Sequence, residues 1–379
     1  MKTQEYLSNL VSSGLTPDQA LVQLTSEFGI KVRDYDKFVL LDYDMINSPK
    51  SHPIVIECRS TILSKGDWVV LSLKFPRFFN AGECPDYYAD FDVKRAIPMM
   101  KLDGSLIGIW YNMFDKVWEI STRGMAKAEG NHSMGGTFRD KVLDAMGFDE
   151  QSFQNFFGAY GNKITTYICE WISPENRIVT RYEKSKLVLL GVSNSYTENV
   201  VSTPGILNDY QKYFKNLGLE FEIPQVFPQG ELTELIAAAN ELDGLKEGFV
   251  LYDIVSGKRM KIKSSSYVCA HRIRGEDTVP TRKNLLELVF MGEVAEFLVY
   301  FPEYTDLVTG IEKEVETFLD GLDKVWEANK SIENQKDFAL ALKGAVGTGF
   351  LFSARKNKTN PRDEFYATNL LSKQRLFLE

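Results

Sequence analysis

The chain has 379 residues with 44 Lys+Arg and 52 Asp+Glu, a formal net charge of -8, and is 44% hydrophobic and 25% charged. These values exclude a wholly disordered, collagenous or fibrous chain and predict two or three domains with a large buried core. The acidic balance argues against a nucleic-acid coat over the whole surface, but leaves room for a basic cleft.

From the N terminus, MKTQEYLSNLVSSGL carries an apolar run too short and broken for a signal peptide. No stretch approaches about 18 uninterrupted apolar residues, so no membrane span is expected. Thr16-Pro17-Asp18-Gln19 reads as a helix start, with Thr16 as cap, Pro17 at the first helical position and Gln19 at capping-box spacing. That helix is expected to run to Phe28 and stop at Gly29. Strand-like runs follow at Phe38–Tyr43, Ile54–Cys58, Trp68–Leu73, Leu106–Tyr111, Val117–Thr122, Ile164–Cys169, Lys186–Gly191, Gly248–Tyr252 and Met260–Lys263. Helical insertions are expected near Thr137–Met146 and Glu231–Leu242. Strands interrupted by helices in this way predict an α+β first domain.

The character changes near Gly275. Long amphipathic runs cover Leu285–Val299, Ile311–Ala328 and Asp337–Ala345, and predict a separate helical domain. Residues 276–340 hold 15 acidic and 6 basic side chains, a net of -9, whereas 341–379 hold 7 basic and 3 acidic, a net of +4. A basic patch in that tail (Arg355, Lys356, Lys358, Arg362) suits either RNA or the acidic helices before it. Gly344-Ala-Val-Gly347-Thr-Gly349 lacks the lysine and Ser/Thr of a phosphate loop, and reads as a turn or tight packing site. The four cysteines (Cys58, Cys84, Cys169, Cys269) and three histidines (His52, His132, His271) are scattered. Neither a structural zinc site nor a disulfide framework is expected, which suits a reducing cytoplasm.

The chemistry centres on Lys101-Leu102-Asp103-Gly104-Ser105, a string that by itself reads as a turn into the next strand. Four later elements give it a context: Ser121-Thr-Arg123-Gly124, Cys169-Glu170-Trp171, Lys246-Glu247-Gly248-Phe249-Val250 and Met260-Lys261-Ile262-Lys263. In the last, two lysines alternate onto one face of an extended segment. An amine attacks only when unprotonated, and free lysine has a pKa of about 10.4. A cation about 6 Å away at an effective dielectric of about 20 opposes the ammonium by roughly 3 kcal/mol, about two pKa units. Lys261 and Lys263 are the candidate cations. From Val255 to Gly275 there are six Lys/Arg (Lys258, Arg259, Lys261, Lys263, Arg272, Arg274) and no Asp or Glu, the stripe that phosphate affinity needs.

The ordered set resembles the covalent nucleotidyltransferase superfamily of ATP-dependent ligases and capping enzymes. With Ile56-Glu57-Cys58-Arg59, Pro76-Arg77-Phe78-Phe79-Asn80 and Glu170-Trp-Ile-Ser-Pro-Glu-Asn-Arg177 added, it resembles more narrowly the phage RNA ligase 1 family, the single-strand RNA ligases of tRNA repair. The similarity runs from about residue 38 to 268. It implies a nucleotidyltransferase (ATP-grasp-like ligase) domain with antiparallel sheets over residues 1–274, and an all-helical domain over 275–379 that helps select RNA.

By the same resemblance, Lys101 is the nucleophile that takes AMP from ATP. Arg59 and Arg77 contact nucleotide phosphates or the RNA 5′-phosphate, and Arg123 the ribose or a phosphate. Arg77 and Arg123 stand where a relative has lysine; the charge is kept and the geometry differs. Glu170 accepts from the ribose hydroxyls, and Glu247 holds a catalytic magnesium (or manganese). Gly104 and Gly248 belong to the nucleotide site, and Lys261 and Lys263 bind the α-phosphate. The expected partner is RNA with 5′-phosphate and 3′-hydroxyl ends, tRNA among the candidates. A monomer in the cytoplasm, a bacterial host's if the gene is a phage's, is expected. A DNA ligase, a capping enzyme and an inactive nucleic-acid-binding relative are the alternatives. Each charged residue also has a plainer structural role open to it: Arg177 as an ion-pair partner for Glu170, Lys246 or Lys261 as one for Glu247, and Lys261 with Lys263 as guards of a sheet edge. Phe78, Phe79 and Trp171 read chiefly as core, and His132 and His271 as surface or packing residues.

Overall fold

The computed structural model describes residues 1–132, 135–176, 179–243, 246–268 and 280–378. It divides into two compact units, Met1–His271 and Arg272–Glu379. The described strands all lie in the first: β1 (Ile30–Asp34), β2 (Phe38–Tyr43), β3 (Arg59–Ser64), β4 (Val70–Ser72), β5 (Phe79–Asn80), β6 (Ile97–Lys101), β7 (Ser105–Asn112), β8 (Val117–Ser121), β9 (Thr165–Ile172), β10 (Lys186–Asn194), β11 (Asn199–Val201), β12 (Gly248–Tyr252) and β13 (Arg259–Lys263).

These strands form three sheets: β1-β2-β3-β4, β5-β13-β12-β6 and β11-β10-β9-β7-β8. Every pairing is antiparallel except the short β5–β13 contact. The third sheet buries one face against helices Phe138–Met146, Glu150–Tyr160 and Pro204–Asn216, through Trp118, Phe153, Phe157, Tyr167 and Phe214. Its other face meets the second sheet across a smaller cluster of Phe75, Phe78 and Ile168, with Leu106, Leu190 and Val250 at its margin. The first sheet is backed by helices Lys2–Ser12 and Pro17–Phe28 through Leu7, Ala20, Leu21 and Leu24.

The second helix begins and ends where its sequence signals lie. Thr16 Oγ1 accepts from the Gln19 amide at 3.3 Å, and Gly29 closes the helix at φ 64°. Helix Lys2–Ser12 was not foreseen, because its cap is remote: the Glu57 carboxylate accepts from the amides of Lys2 (2.9 Å) and Thr3 (2.8 Å).

The strand expected at Ile54–Cys58 is instead a helix, Pro53–Glu57. Pro53 supplies a first-turn φ and needs no amide partner there, and the turn places Ile54, Val55 and Cys58 together in the core. That burial outweighs the β preference of an Ile-Val-Ile run.

The described secondary structure of the second unit is helical: Arg282–Met291, Val294–Tyr300, Thr305–Asn329, Gln335–Ala341, Thr348–Asn357, Pro361–Ala367 and Leu370–Leu378, with one 3₁₀ turn at Pro302–Tyr304. The run expected over Leu285–Val299 breaks at Gly292, whose φ of 66° ends the first helix. The longest helix buries Val308, Ile311, Val315, Leu319 and Leu322, the stripe its spacing encodes. Of the basic tail, Arg362 meets Glu316 (2.7 Å), Asp320 (2.6 Å) and Asp323 (2.5 Å), so here the acidic helix is its partner. Arg355 donates to the carbonyls of Ile332 and Glu333. No described helix is long and apolar enough to cross a membrane.

Candidate active site

Three strands of the second sheet end side by side at the chemistry. Gly248 of β12 is in register with Lys101 of β6 on one side and Lys263 of β13 on the other. One step along, Val250 stands between Met99 and Lys261, and one further, Tyr252 between Ile97 and Arg259. Paired residues share a face of a sheet, so Lys101, Lys261, Lys263 and Arg259 present to the same side. Gly248 has φ 132°, and a Cβ there would lie 2.1 Å from the Ile262 carbonyl oxygen. Only glycine lets these strands close up at this rung. β13 runs between β5 and β12, so its lysines do not guard an open edge.

Lys101 Nζ lies 2.5 Å from Glu247 Oε2, and Glu247 is buried. The sequence reading surrounded this amine with cations; the structure sets a carboxylate nearest to it. Glu247 pairs neither with Lys246 nor with solvent at an edge. The KxDG turn is fixed by its aspartate. Buried Asp103 accepts from the amides of Val179 and Thr180, each at 2.7 Å, and from the Tyr267 hydroxyl at 2.8 Å. Gly104 comes so close to β9 that a Cβ would lie 2.3 Å from the Trp171 carbonyl, and its amide donates to Glu170 Oε1 at 3.1 Å. Loss of solvation pushes Glu170 up to about 7; Glu247 adds to the rise, and Lys101, Arg59 and the Gly104 amide oppose it.

The arginines gather around the first sheet. Arg59 lies over the Phe78 ring (5.2 Å) and donates to the Phe75 carbonyl at 3.3 Å. Arg123 pairs with Asp42 at 2.9 Å and stands 4.5 Å from the centre of the Tyr43 ring. Arg77 stacks on Tyr43 at 4.0 Å, is buried, and leaves its Nη1 without a partner. Its backbone is held by the Ile56 carbonyl (2.8 Å), so the unexpected helix helps place it. Two of these guanidiniums, Arg59 and Arg123, act on the single Asp42 carboxylate, which leaves an excess of positive charge.

A cavity of about 460 Å³ opens between these parts, within the range of small-molecule sites. Arg59, Lys101, Gly104, Arg123, Glu170, Glu247, Lys261 and Lys263 line it, with Phe78, Leu106, Leu190 and Val250 as apolar wall. Gly248 stands between Lys101 and Lys263 but does not itself line the cavity, and Arg77 also stands outside the lining. Phe78 faces the cavity beneath Lys261 (4.9 Å), whereas Phe79, Trp171 and His132 are core. Arg177, Cys269, His271, Arg272 and Arg274 lie outside the described residues. Sequence reasoning counted Arg259 only within the basic stripe from Val255 to Gly275; it lines the cavity and lies between the rings of Tyr252 (4.1 Å) and Phe75 (4.4 Å). The alternation Arg259-x-Lys261-x-Lys263 was the signal for it.

The model of the RNA ligase family matches residues 57–267, more than half the chain. A protein of Autographa californica nuclear polyhedrosis virus named as a bifunctional polynucleotide kinase/RNA ligase is 30% identical over 316 residues, 80% of this chain and 42% of that protein. The chain thus spans less than half of that relative. An RNA ligase of Rhodothermus phage RM378 is 27% identical over 89% of both chains. Among solved structures the chain is similar to an archaeal ATP-dependent RNA ligase (14% identity, TM-score 0.47, 86% of each chain). It is also similar to a variant of Naegleria gruberi RNA ligase with ATP and Mn (12% identity, TM-score 0.39, 51% of this chain and 56% of that one). The ordered motifs that line one cavity all fall within or beside the matched stretch, and the chain belongs to the phage RNA ligase 1 family.

Proposed function

We propose that the protein is an ATP-dependent RNA ligase that works through a covalent lysyl-AMP. The observation that carries this is the meeting of Lys101 with Glu247, Lys261 and Lys263 on the floor of one nucleotide-sized cavity. Lys101 Nζ, having given up its proton, attacks the α-phosphorus of ATP; the bond to the β-phosphate oxygen breaks and pyrophosphate leaves. The AMP then passes to the 5′-phosphate of RNA, freeing the amine. A 3′-hydroxyl attacks that activated phosphate, sealing the strand and releasing AMP.

The side chains suit these tasks. Lys263 and Lys261 hold the α-phosphate, and Arg59 and Arg123 take the outer phosphates or the RNA 5′-phosphate, where guanidiniums form paired hydrogen bonds; Arg77, outside the cavity lining, adds its charge beside Arg123. Leu106, Val250 and Phe78 cover the base, and Glu170 accepts from the ribose hydroxyls. Among the described residues no cluster of three or more Asp, Glu, His or Cys is built to hold a metal. A single carboxylate beside a polyphosphate is nonetheless the usual setting for magnesium, and Glu247 would hold it. The metal, magnesium or manganese, would offset charge on the phosphoryl oxygens and leaving group. Glu247 would then serve the metal and Lys101 the α-phosphorus.

The natural partner we infer is RNA with 5′-phosphate and 3′-hydroxyl ends, broken tRNA included, met in the cytoplasm by a monomer. Residues 275–379 contribute to the choice of RNA. Incubation with magnesium, ATP and 5′-phosphorylated single-stranded RNA should give circles. Sealing of nicked DNA without any RNA product would favour a DNA ligase instead, and a preference for GTP a capping enzyme.

A further inference from the structure

Two of the cavity's arginines have sequence neighbours that are tied together by one buried lysine. Lys74 follows β4 and is 2% exposed. Its Nζ donates to Ser60 Oγ at 2.6 Å and to the Thr122 carbonyl oxygen at 3.3 Å. Ser60 Oγ in turn donates to the same carbonyl at 2.9 Å. Ser60 adjoins Arg59, and Thr122 adjoins Arg123. The knot therefore joins β3 of the first sheet to the end of β8 in the third, one residue from each arginine.

The backbone is shaped to this purpose. Ser60 has φ 58°, a left-handed conformation that costs an L residue roughly 1 kcal/mol or more. The β2–β3 register shifts there, between Leu41 and Asp42. A bulge of this kind re-aims a side chain, and here the re-aimed residue is Arg59. Opposite, β7 leaves room for the lysine stem: a Cβ on Gly108 would come within 2.7 Å of Lys74 Cε. Among the described residues no carboxylate lies within ion-pair distance of the ammonium. A buried cation whose attracting carboxylate, Asp42, is already paired with Arg123 opposes folding, so packing alone does not account for a lysine at this place.

We propose that Lys74 is a positioning residue for nucleotidyl transfer: by tying Ser60 to Thr122 it fixes Arg59 and Arg123 at the spacing that grips phosphate. This rests on the reading of those arginines as phosphate ligands. Burial pushes Lys74 down to about 7, with Arg59 adding to the fall and Asp42, the partner of Arg123, opposing it. A polyanion entering the cavity favours the ammonium, so the knot is tightest below that pH and loosens as pH rises through it.

The test measures the ATP KM and maximal rate of adenylylation from pH 6 to 8.5 in wild type, Lys74→Met, Ser60→Gly, Arg59→Ala and Arg123→Ala, with melting curves. Lys74→Met should raise the ATP KM about tenfold at pH 6.5, keep the maximal rate within about twofold and melt no lower than wild type. The excess in KM over wild type should shrink toward pH 8.5. Ser60→Gly, which keeps the left-handed backbone without the hydroxyl, should reproduce the KM effect. If Lys74→Met leaves KM unchanged while Arg59→Ala raises it, the knot has no positioning role and the inference falls alone. If neither Arg59→Ala nor Arg123→Ala changes KM, the phosphate reading falls and takes the inference with it. A lower melting temperature, with KM and rate impaired equally at every pH, would mean a structural role only and overturn the proposal.

Discussion

Lys101 and Glu247 face each other across the β6–β12 pair at 2.5 Å, the proposed nucleophile and the proposed metal ligand in one ion pair. An ammonium so paired has no lone pair to give. On the proposed reading, the pair has to part or pass a proton before the amine attacks.

Replacing Glu247 by Gln keeps shape and burial but removes the charge. Lys101-dependent adenylylation should fall by about 100-fold or more, since one charged group in a dry site is worth several kcal/mol to the transition state. The melting temperature should change little, because breaking the pair leaves a lysine that reaches the cavity. Single-turnover formation of the AMP adduct measures the first, and calorimetry the second.

Glu170 provides a pH signature. Its folded-state pKa, about 7, lies above the ordinary glutamate value. Between about 4.5 and 7 the folded protein therefore binds more protons than the unfolded chain, and this group's contribution to stability falls as pH rises through that window. Glu170→Gln should remove that part of the decline in melting temperature between pH 5 and 8. An identical pH profile in variant and wild type would contradict the assignment.

Gly248→Ala tests the rung that aligns Lys101 and Lys263. The new methyl would meet the Ile262 carbonyl at 2.1 Å on a backbone at φ 132°. A loss of stability of about 3 kcal/mol or more is expected, with the adduct lost as the strands part. Denaturant melts read the first effect.

The position of Arg362 distinguishes the two readings of the basic tail. With three carboxylates around it, Arg362→Ala should lower the stability of residues 272–379 by about 1 kcal/mol. AMP-adduct formation should be unchanged, and affinity for RNA nearly so. A steep loss of RNA binding with unchanged melting would place this arginine on the nucleic acid.

The parts of the fold readable in sequence are those written locally. Thr16 and Gly29 bracket a helix by capping, and β12 and β2 follow their apolar runs from end to end. What was hidden depends on distant partners. Glu57 caps a helix more than fifty residues away in sequence, and Pro53 with core burial turns an Ile-Val-Ile run helical. At the site, the order of motifs named Lys101, Glu170, Glu247, Lys261 and Lys263, which the fold brings to one cavity. Their charge environment was not legible: nothing in KxDG says that its amine meets a carboxylate, or that Asp103 spends its oxygens on the amides of Val179 and Thr180 and the hydroxyl of Tyr267. Lys74 and Ser60 carry no motif, because their role arises from a bulge and a gap at Gly108.

The most direct measurement is mass spectrometry of the intact protein after incubation with magnesium and ATP, without RNA, followed by peptide mapping. The account predicts one added adenylate, bonded through nitrogen to Lys101, released by pyrophosphate or by 5′-phosphorylated RNA and missing from Lys101→Ala. An unmodified chain, or an adenylate carried on a different side chain, would contradict it.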